Sequence, residues 1–576
     1  MNVQIRYFCI ALAFCSLTGV AQSVSVDVNV DATAIGYRIN TDFVGLSFEG
    51  KTMTTPTGGG STVGSFWEHT PTALTQFRNL MANLSSTPII RIGANAGDRL
   101  AWTPGSRGSS TDVSKLFNSD IDKFFNFLTS VNGKGIYQIN FAKDSANYTG
   151  NAPAESASEA SYVYSTYSSR LKSVSIGNEP MAYVVNNYRN PYNPSLYVAN
   201  YLPVYDAIKA ANSAIPISGG DIGRRTEYNT WNSAYLQKMN NLASTSPARP
   251  IDAFNIHIYP YRGNEFTGTT AQWADTLVNS NRPGSIVQTN LSYLKGLAES
   301  YNVPFWISET NSIATSIAGV SNSFVSAIWG LDYLYILANY NVKGVNFHSG
   351  GNSLSFAPVY RASASGSYAI GSLYYGLLAF LDGARNQRLL TVVPPNSTAN
   401  PRASYYATIS DDGKTISVTL INKDFTNTIN AAVNVPSINI DAASYQTLRP
   451  QTNIYDLASA NYYANAQVAS DGTFTKGTPT PLTVTNSTLV SVTLAPMTAV
   501  VVTLATNTIP LYTLKAGVWT DATVWSQNRV PTSADVVVLK HTVTVPANNV
   551  VHAQRVVFSA NNQLQYGQNA QLQEGL

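Results

Sequence analysis

The chain has 576 residues, with 35 Lys and Arg against 32 Asp and Glu, a formal net charge of +3 and only 12% charged residues. That sparse, balanced charge lacks the clustered Lys and Arg of a nucleic-acid binder. Tyr is abundant at 34 residues, which suits either β-sheet packing or stacking on neutral polar ligands.

Residues 1–21 combine an early Arg6, an apolar run over 7–20 and small residues at Gly19 and Ala21, the pattern of a cleaved signal peptide. The run is short of the roughly 20 apolar residues a membrane helix needs, and no later segment reaches that length. The protein is therefore expected to be secreted (extracellular, periplasmic or cell-surface) without a membrane span. Both cysteines, Cys9 and Cys15, fall in this leader, so the mature chain is expected to have no disulfide framework and no thiolate ligand.

A strand over 22–40 alternates polar and apolar residues and is expected to join a later β-sandwich. From 41 to 382, short apolar runs alternate with helical patterns, the signature of βα units and a parallel sheet. The runs include Ile89-Ile90-Arg91-Ile92-Gly93, Ile136-Tyr137-Gln138-Ile139, Val174-Ser175-Ile176, Phe254-Asn255-Ile256-His257 and Val345-Asn346-Phe347-His348; a helix is predicted over 324–338. Eight such units fit a decorated (β/α)8 barrel, that is, an α/β fold of the TIM type. From 383 to 505 the helical patterns stop, and short strands with turns such as Asp411-Asp412-Gly413 indicate an antiparallel β-sandwich. Residues 506–576, with Trp519, Trp525 and Val-rich strands, read as a small C-terminal β module expected to be cut short at Leu576.

Two carboxylates fall where apolar strands break into polar loops. Glu179 lies in Gly177-Asn178-Glu179-Pro180 and Glu309 in Trp306-Ile307-Ser308-Glu309-Thr310. Strand ends on that side of a barrel build its active site. Two carboxyls about 5 Å apart cleave a glycosidic bond with retention: one protonates the leaving oxygen and the other attacks the anomeric carbon. Glu179 is the expected acid/base and Glu309 the expected nucleophile. Asn178 can offer its amide to a sugar 2-hydroxyl. His257 and Tyr259, two apart on a strand, project to one side, so the Tyr259 hydroxyl can orient Glu309; His257 is expected there as a structural hydrogen-bonder. The plainer alternatives are a helix-capping role for Glu309 and a barrel-closing role for Tyr259. Arg91 is open between an ion pair at the barrel floor and a charge that tunes the nucleophile. The five histidines have no metal-ligand spacing, and Gly219-Gly220-Asp221-Ile222-Gly223 is not a dinucleotide fingerprint, so neither metal nor cofactor is expected.

The Asn-Glu pair, its distant partner Glu309, and the segments Phe43-Val44-Gly45-Leu46-Ser47-Phe48-Glu49, Arg91-Ile92-Gly93-Ala94-Asn95 and 324–332 with 344–348 together resemble glycoside hydrolase family 79, in the retaining (β/α)8 clan A. The resemblance covers about 24–505; the remaining C-terminal residues resemble β modules of secreted proteins. It implies a retaining, exo-acting β-glucuronidase of plant or host glycans, including 4-O-methyl-glucuronides, with an oligo- or polysaccharide or glycoside as its partner. It also implies sugar-hydroxyl contacts from Glu49 and Asn95, and recognition of the uronate carboxylate by the 349–360 loop through Asn352 and Tyr360. Ala94 and Ala96 depart from the family pattern, where a glycine and a small hydroxyl residue are expected. The alternatives are a clan A activity on a neutral β-glucoside, β-xyloside or β-galactoside, or a non-catalytic glycan-binding surface protein.

Overall fold

The computed structural model describes residues 23–56, 61–142, 152–223, 227–239, 248–349, 355–361, 366–393, 402–436, 438–506, 511–558 and 563–574. The expected leader at 1–21 lies outside them. Among them, no helix is long and apolar enough to cross a membrane.

Eight parallel strands close into a barrel: β1 (Val44–Glu49), β2 (Ile89–Gly93), β3 (Lys134–Ile139), β4 (Leu171–Ile176), β5 (Ile217–Ile222), β6 (Ala253–Ile258), β7 (Phe305–Thr310) and β8 (Val345–Ser349). β7 and β6 are buried at every residue, as strands covered on both faces must be, and the polar residues among them, Asn255, His257, Ser308, Glu309 and Thr310, are buried with the apolar ones. Glu179 lies three residues past the end of the fourth strand and Glu309 in the seventh, both at the carboxyl-end rim.

Helices wrap the barrel. Pro71–Leu84 starts on Thr70, whose hydroxyl accepts from the Ala73 amide, with Pro71 at the first position. It turns Phe77, Leu80, Met81 and Leu84 inward at helical spacing. Phe324–Asn339 is apolar all round and buried from Phe324 to Ala338, because it is wedged between barrel and sandwich. There Tyr335 stacks on Tyr406 with ring centroids 4.5 Å apart, and buried Asp332 accepts from Lys423 Nζ at 3.0 Å and from the Tyr406 hydroxyl at 2.7 Å. Those bonds tie the two units rigidly together.

The sandwich is one hydrogen-bonded path whose two halves share a core, with Val26, Val28 and Val30 packed among residues such as Ile416, Val418, Val490 and Leu504. The N-terminal strand Ser23–Arg38 joins it, as expected from its alternation. It pairs parallel with Thr428–Asn434 and antiparallel with Arg388–Val393, so the sheet is mixed and not antiparallel throughout. The chain enters this sheet before building the barrel and returns to it afterwards, which permits a parallel neighbour without a local crossover.

The C-terminal module holds its own core around Leu511, Trp519, Trp525 and Val537. Its ladders, 511–512 with 536–539 and 555–558, 517–518 with 543–545 and 564–566, and 550–553 with 571–574, are all parallel. Successive short strands therefore stack as turns of a coil, an arrangement in which each turn is covered by the next.

Candidate active site

The site is made by backbone conformations that few residues adopt willingly. After β4 the chain turns through Gly177 at φ 77 and then through Glu179 at φ 45 and ψ 57, a left-handed conformation unusual for a non-glycine residue. A side chain at Gly177 would meet the Tyr183 hydroxyl at 2.7 Å and Phe141 at 2.8 Å, so only glycine fits that corner. Pro180 follows, lacking an amide to continue the ladder. The Glu179 amide instead donates to the Asp221 carbonyl at 3.0 Å. The turn aims the Glu179 carboxylate across the mouth of the barrel, hard against Gly223, where a Cβ would lie only 1.9 Å from Oε1.

Asp98 braces this corner. Its carboxylate accepts from the Phe141 and Asn178 amides and from the Tyr183 hydroxyl. Burial pushes it up to about 7 against those hydrogen bonds.

Glu309 projects from β7 into the same space. Arg91 Nη1 donates to its Oε2 at 2.8 Å and the Tyr259 hydroxyl to its Oε1 at 2.9 Å. Burial alone would raise its pKa, but His348, His257 and Arg91 together with the Tyr259 hydrogen bond outweigh burial and hold it near 2. It is thus an anion at any ordinary pH, the form a nucleophile needs. Arg91 is wholly buried and also donates to Asn178 Oδ1 at 2.8 Å, so the choice left open by the sequence resolves to a cation beside Glu309.

Oxygens of Glu179 and Glu309 and a ring nitrogen of His257 all lie within 4.8 Å of one another. With one oxygen of each inside 4.8 Å, the carboxylates lie nearer the roughly 5 Å of retaining glycosidases than the roughly 6.5–9.5 Å of inverting ones, which must admit a water between the pair. The trio has the composition of a metal site, but its bonds point elsewhere. His257 sits between two acceptors, Nδ1 at 3.1 Å from Glu179 Oε1 and Nε2 at 3.1 Å from Asp221 Oδ1. Satisfying both requires a proton on each nitrogen, which leaves no lone pair for a metal. Burial would lower the imidazole pKa, yet Glu309, Asp221 and Glu179 overcome burial and the repulsion from Arg91 to hold it near 9.

A cleft of about 710 Å³ opens over the pair. Glu49, Asn95, Glu179, Tyr259 and Glu309 line it, joined by His348 and Phe356 on one side and by Asn186, Arg262 and Glu265 on the other. Glu49 Oε2 accepts from the Ala96 amide at 2.8 Å, and burial raises its pKa against the opposing pull of His348. Ala94 holds φ 54, the conformation that the expected glycine would take without cost, so the departure changes the residue and keeps the loop.

Three residues expected at the substrate site, His257, Asn178 and Tyr360, fall outside the cleft, His257 as the structural hydrogen-bonder it was expected to be. His257 is fully buried beneath Glu179, and Asn178 is 2% exposed with its amide spent on Arg91 and Asn95. Tyr360 lies on a short strand, Val359–Arg361, that pairs with Tyr368–Ile370 and faces a separate pocket with Gln76, Leu80 and Tyr368. The hairpin turns Tyr360 away from the carboxylates, so the contact expected of it is withdrawn. Asn352 lies outside the described residues. The sequence reading missed Asp221, Asp98, His348 and Phe356. His348 and Asp221 did carry a signal, each being a polar residue in the last two positions of a barrel strand.

The Tyr259 hydroxyl offers a contained test. Tyr259→Phe removes a charge-assisted hydrogen bond worth about 1.5–3 kcal/mol. Turnover is expected to fall about 10- to 100-fold, and because the lost bond favours the ionised carboxylate, the acid limb of kcat/KM should move to higher pH. A pH–rate profile of the variant against the parent checks both.

No protein-family model matches the chain. A β-glucuronidase of Aspergillus niger is 26% identical over 395 residues, which span 62% of this chain and 69% of that protein. Among solved structures, a 4-O-α-L-rhamnosyl-β-D-glucuronidase from Fusarium oxysporum superposes with a TM-score of 0.61 at 19% identity, covering 84% of this chain and all of that one. A family 51 arabinofuranosidase from Xanthomonas axonopodis pv. citri gives 0.60 at 15% identity over the same shares. Barrel, carboxylate pair and the Aspergillus relative together define a (β/α)8 glycoside hydrolase, and the solved structures share its fold. Within that class the sequence relative is a β-glucuronidase, one of the activities that the resemblance read from the sequence implies.

Proposed function

We propose that the protein is a secreted, exo-acting, retaining β-glycosidase whose glycone is β-linked glucuronic acid or its 4-O-methyl ether. The observation that carries the retaining mechanism is the spacing of Glu179 and Glu309 within 4.8 Å, with Glu309 held ionised by Arg91 and Tyr259. In the first step Glu179 gives its proton to the glycosidic oxygen while Glu309 attacks the anomeric carbon. In the second, Glu179 takes a proton from water as that water opens the glycosyl ester. Support for a glucuronide comes from the names of the Aspergillus and Fusarium relatives. Secretion rests on the apolar leader at 1–21 and the cysteine-free remainder.

The lining of the cleft favours a second reading. Glu49, Glu179, Glu265 and Glu309 face it against Arg262 and His348, an acid-rich surround that suits a neutral sugar better than a uronate. A panel of p-nitrophenyl β-glucuronide, β-glucoside, β-xyloside and β-galactoside decides between them. The glucuronide is expected to be preferred in kcat/KM by at least about 100-fold, the discrimination that one unpaired charged group produces. Equal or better turnover of a neutral glycoside would replace the first reading with the second.

A further inference from the structure

We propose that Asp221, acting through His257, is the positioning residue of Glu179 in acid/base catalysis. The inference rests on the glycosidase reading of the cleft. Asp221 grips Glu179 at both ends: its carbonyl accepts the Glu179 amide at 3.0 Å, and its Oδ1 accepts from His257 Nε2, whose Nδ1 reaches the Glu179 carboxylate. The Ser308 hydroxyl fixes the same Oδ1 at 2.7 Å, which ties the assembly to the strand that carries the nucleophile.

Two features of Asp221 are unfavourable for folding. It holds φ 45, a left-handed conformation that an aspartate tolerates better than most side chains but less freely than glycine. Its Oδ2 is buried with no hydrogen-bond partner among the described residues, while Arg91 approaches its Oδ1 only to 3.7 Å. Buried polar atoms without partners and left-handed non-glycine residues cluster where function requires them. A scaffold role would be met by a neutral residue at ease in that turn.

A carboxylate here has an electrostatic use. The charged groups facing His257 are Glu179, Asp221, Glu309 and Arg91. When Glu179 gives its proton to the leaving oxygen it gains a negative charge, next to an imidazolium that keeps both of its protons. Asp221 balances that imidazolium against Arg91, so the cation stays in place, in a fixed orientation, through the cycle. No proton passes along the chain of residues; the one lost by Glu179 is regained from the water of the second step.

The test is Asp221→Asn, which keeps the shape, suits the left-handed backbone and removes the charge. Substrates are two glycosides of the sugar best hydrolysed by the unmodified enzyme, one with a phenol leaving group that needs a proton and one with 2,4-dinitrophenol that does not. For the phenyl glycoside kcat/KM is expected to fall about 10- to 100-fold, part of the 10²- to 10⁴-fold typical of general acid catalysis, and for the dinitrophenyl glycoside it should stay within about 3-fold. His257→Gln should give the same split. Equal losses on both glycosides, or a split in the His257 variant without one in the Asp221 variant, would overturn the proposal. Failure of the unmodified enzyme to hydrolyse either glycoside would instead overturn the glycosidase reading.

Discussion

Glu309→Gln is expected to lower turnover of an aryl β-glycoside by on the order of 10⁴-fold or more, the scale seen when a covalent nucleophile is removed. The variant should fold, since the amide fills the same volume: its carbonyl oxygen can still accept from Arg91, while its NH2 takes the place of the other oxygen and can donate to the Tyr259 hydroxyl. What it loses is the charge, which Arg91, His257 and His348 together hold ionised near the anomeric carbon. The diagnostic form is Glu309→Ala with added azide. The small anion can enter the space left by the side chain and attack from the face that Glu309 used, giving an α-glycosyl azide from a β-glycoside. NMR of the product checks this. An unchanged rate in either variant would remove Glu309 from the chemistry.

Glu309 was legible because its strand opens as an apolar run, Phe305-Trp306-Ile307, and turns polar from Ser308, and because β7 is buried on both faces, so a carboxylate there demands a reason. Glu179 was legible for a different cause: Gly-Asn-Glu-Pro spells a turn that only glycine can enter and that proline ends. His257 and Tyr259 were rightly grouped by the period-2 rule as residues on one side of a strand. That rule gives no depth. Tyr259 reaches the rim and Glu309, while His257, one layer lower, meets Asp221 and Glu179 and never sees the cleft.

Asp221 was invisible for a related reason. Its partners come from β4, β6 and β7, and those meetings depend on the stagger of the closed barrel, including a register shift between Gly220 and Ile222 against β6. A bulge of that kind re-aims a side chain without leaving a mark in hydrophobic periodicity. Tyr360 failed in the opposite direction: the residues after β8 were read as one loop over the cleft, but Val359–Arg361 folds back as half of a hairpin. The mixed sandwich and the parallel C-terminal coil share that origin, because alternation announces a strand and says nothing of its neighbour's direction.

The companion variant, Glu179→Gln, is expected to separate the two halves of the reaction. With a poor leaving group the proton from Glu179 is needed to break the bond, so kcat/KM should fall about 10²- to 10⁴-fold. With a dinitrophenyl leaving group the bond breaks unaided, and kcat/KM should change little, but water must then attack the glycosyl ester without a base. The ester on Glu309 should accumulate. A burst of phenol equal to the enzyme concentration, followed by slow turnover, and a mass increase of one glycosyl unit on the intact chain would record it. In Glu179→Ala the space beside Gly223 is emptied, and azide entering there attacks the ester from the opposite face, so the product is a β-glycosyl azide. The α product from Glu309→Ala and the β product from Glu179→Ala assign the two carboxylates separately. The same anomer from both variants would show that the roles of acid/base and nucleophile are not divided between Glu179 and Glu309 as their surroundings, one beside an imidazolium and the other beside a guanidinium, indicate.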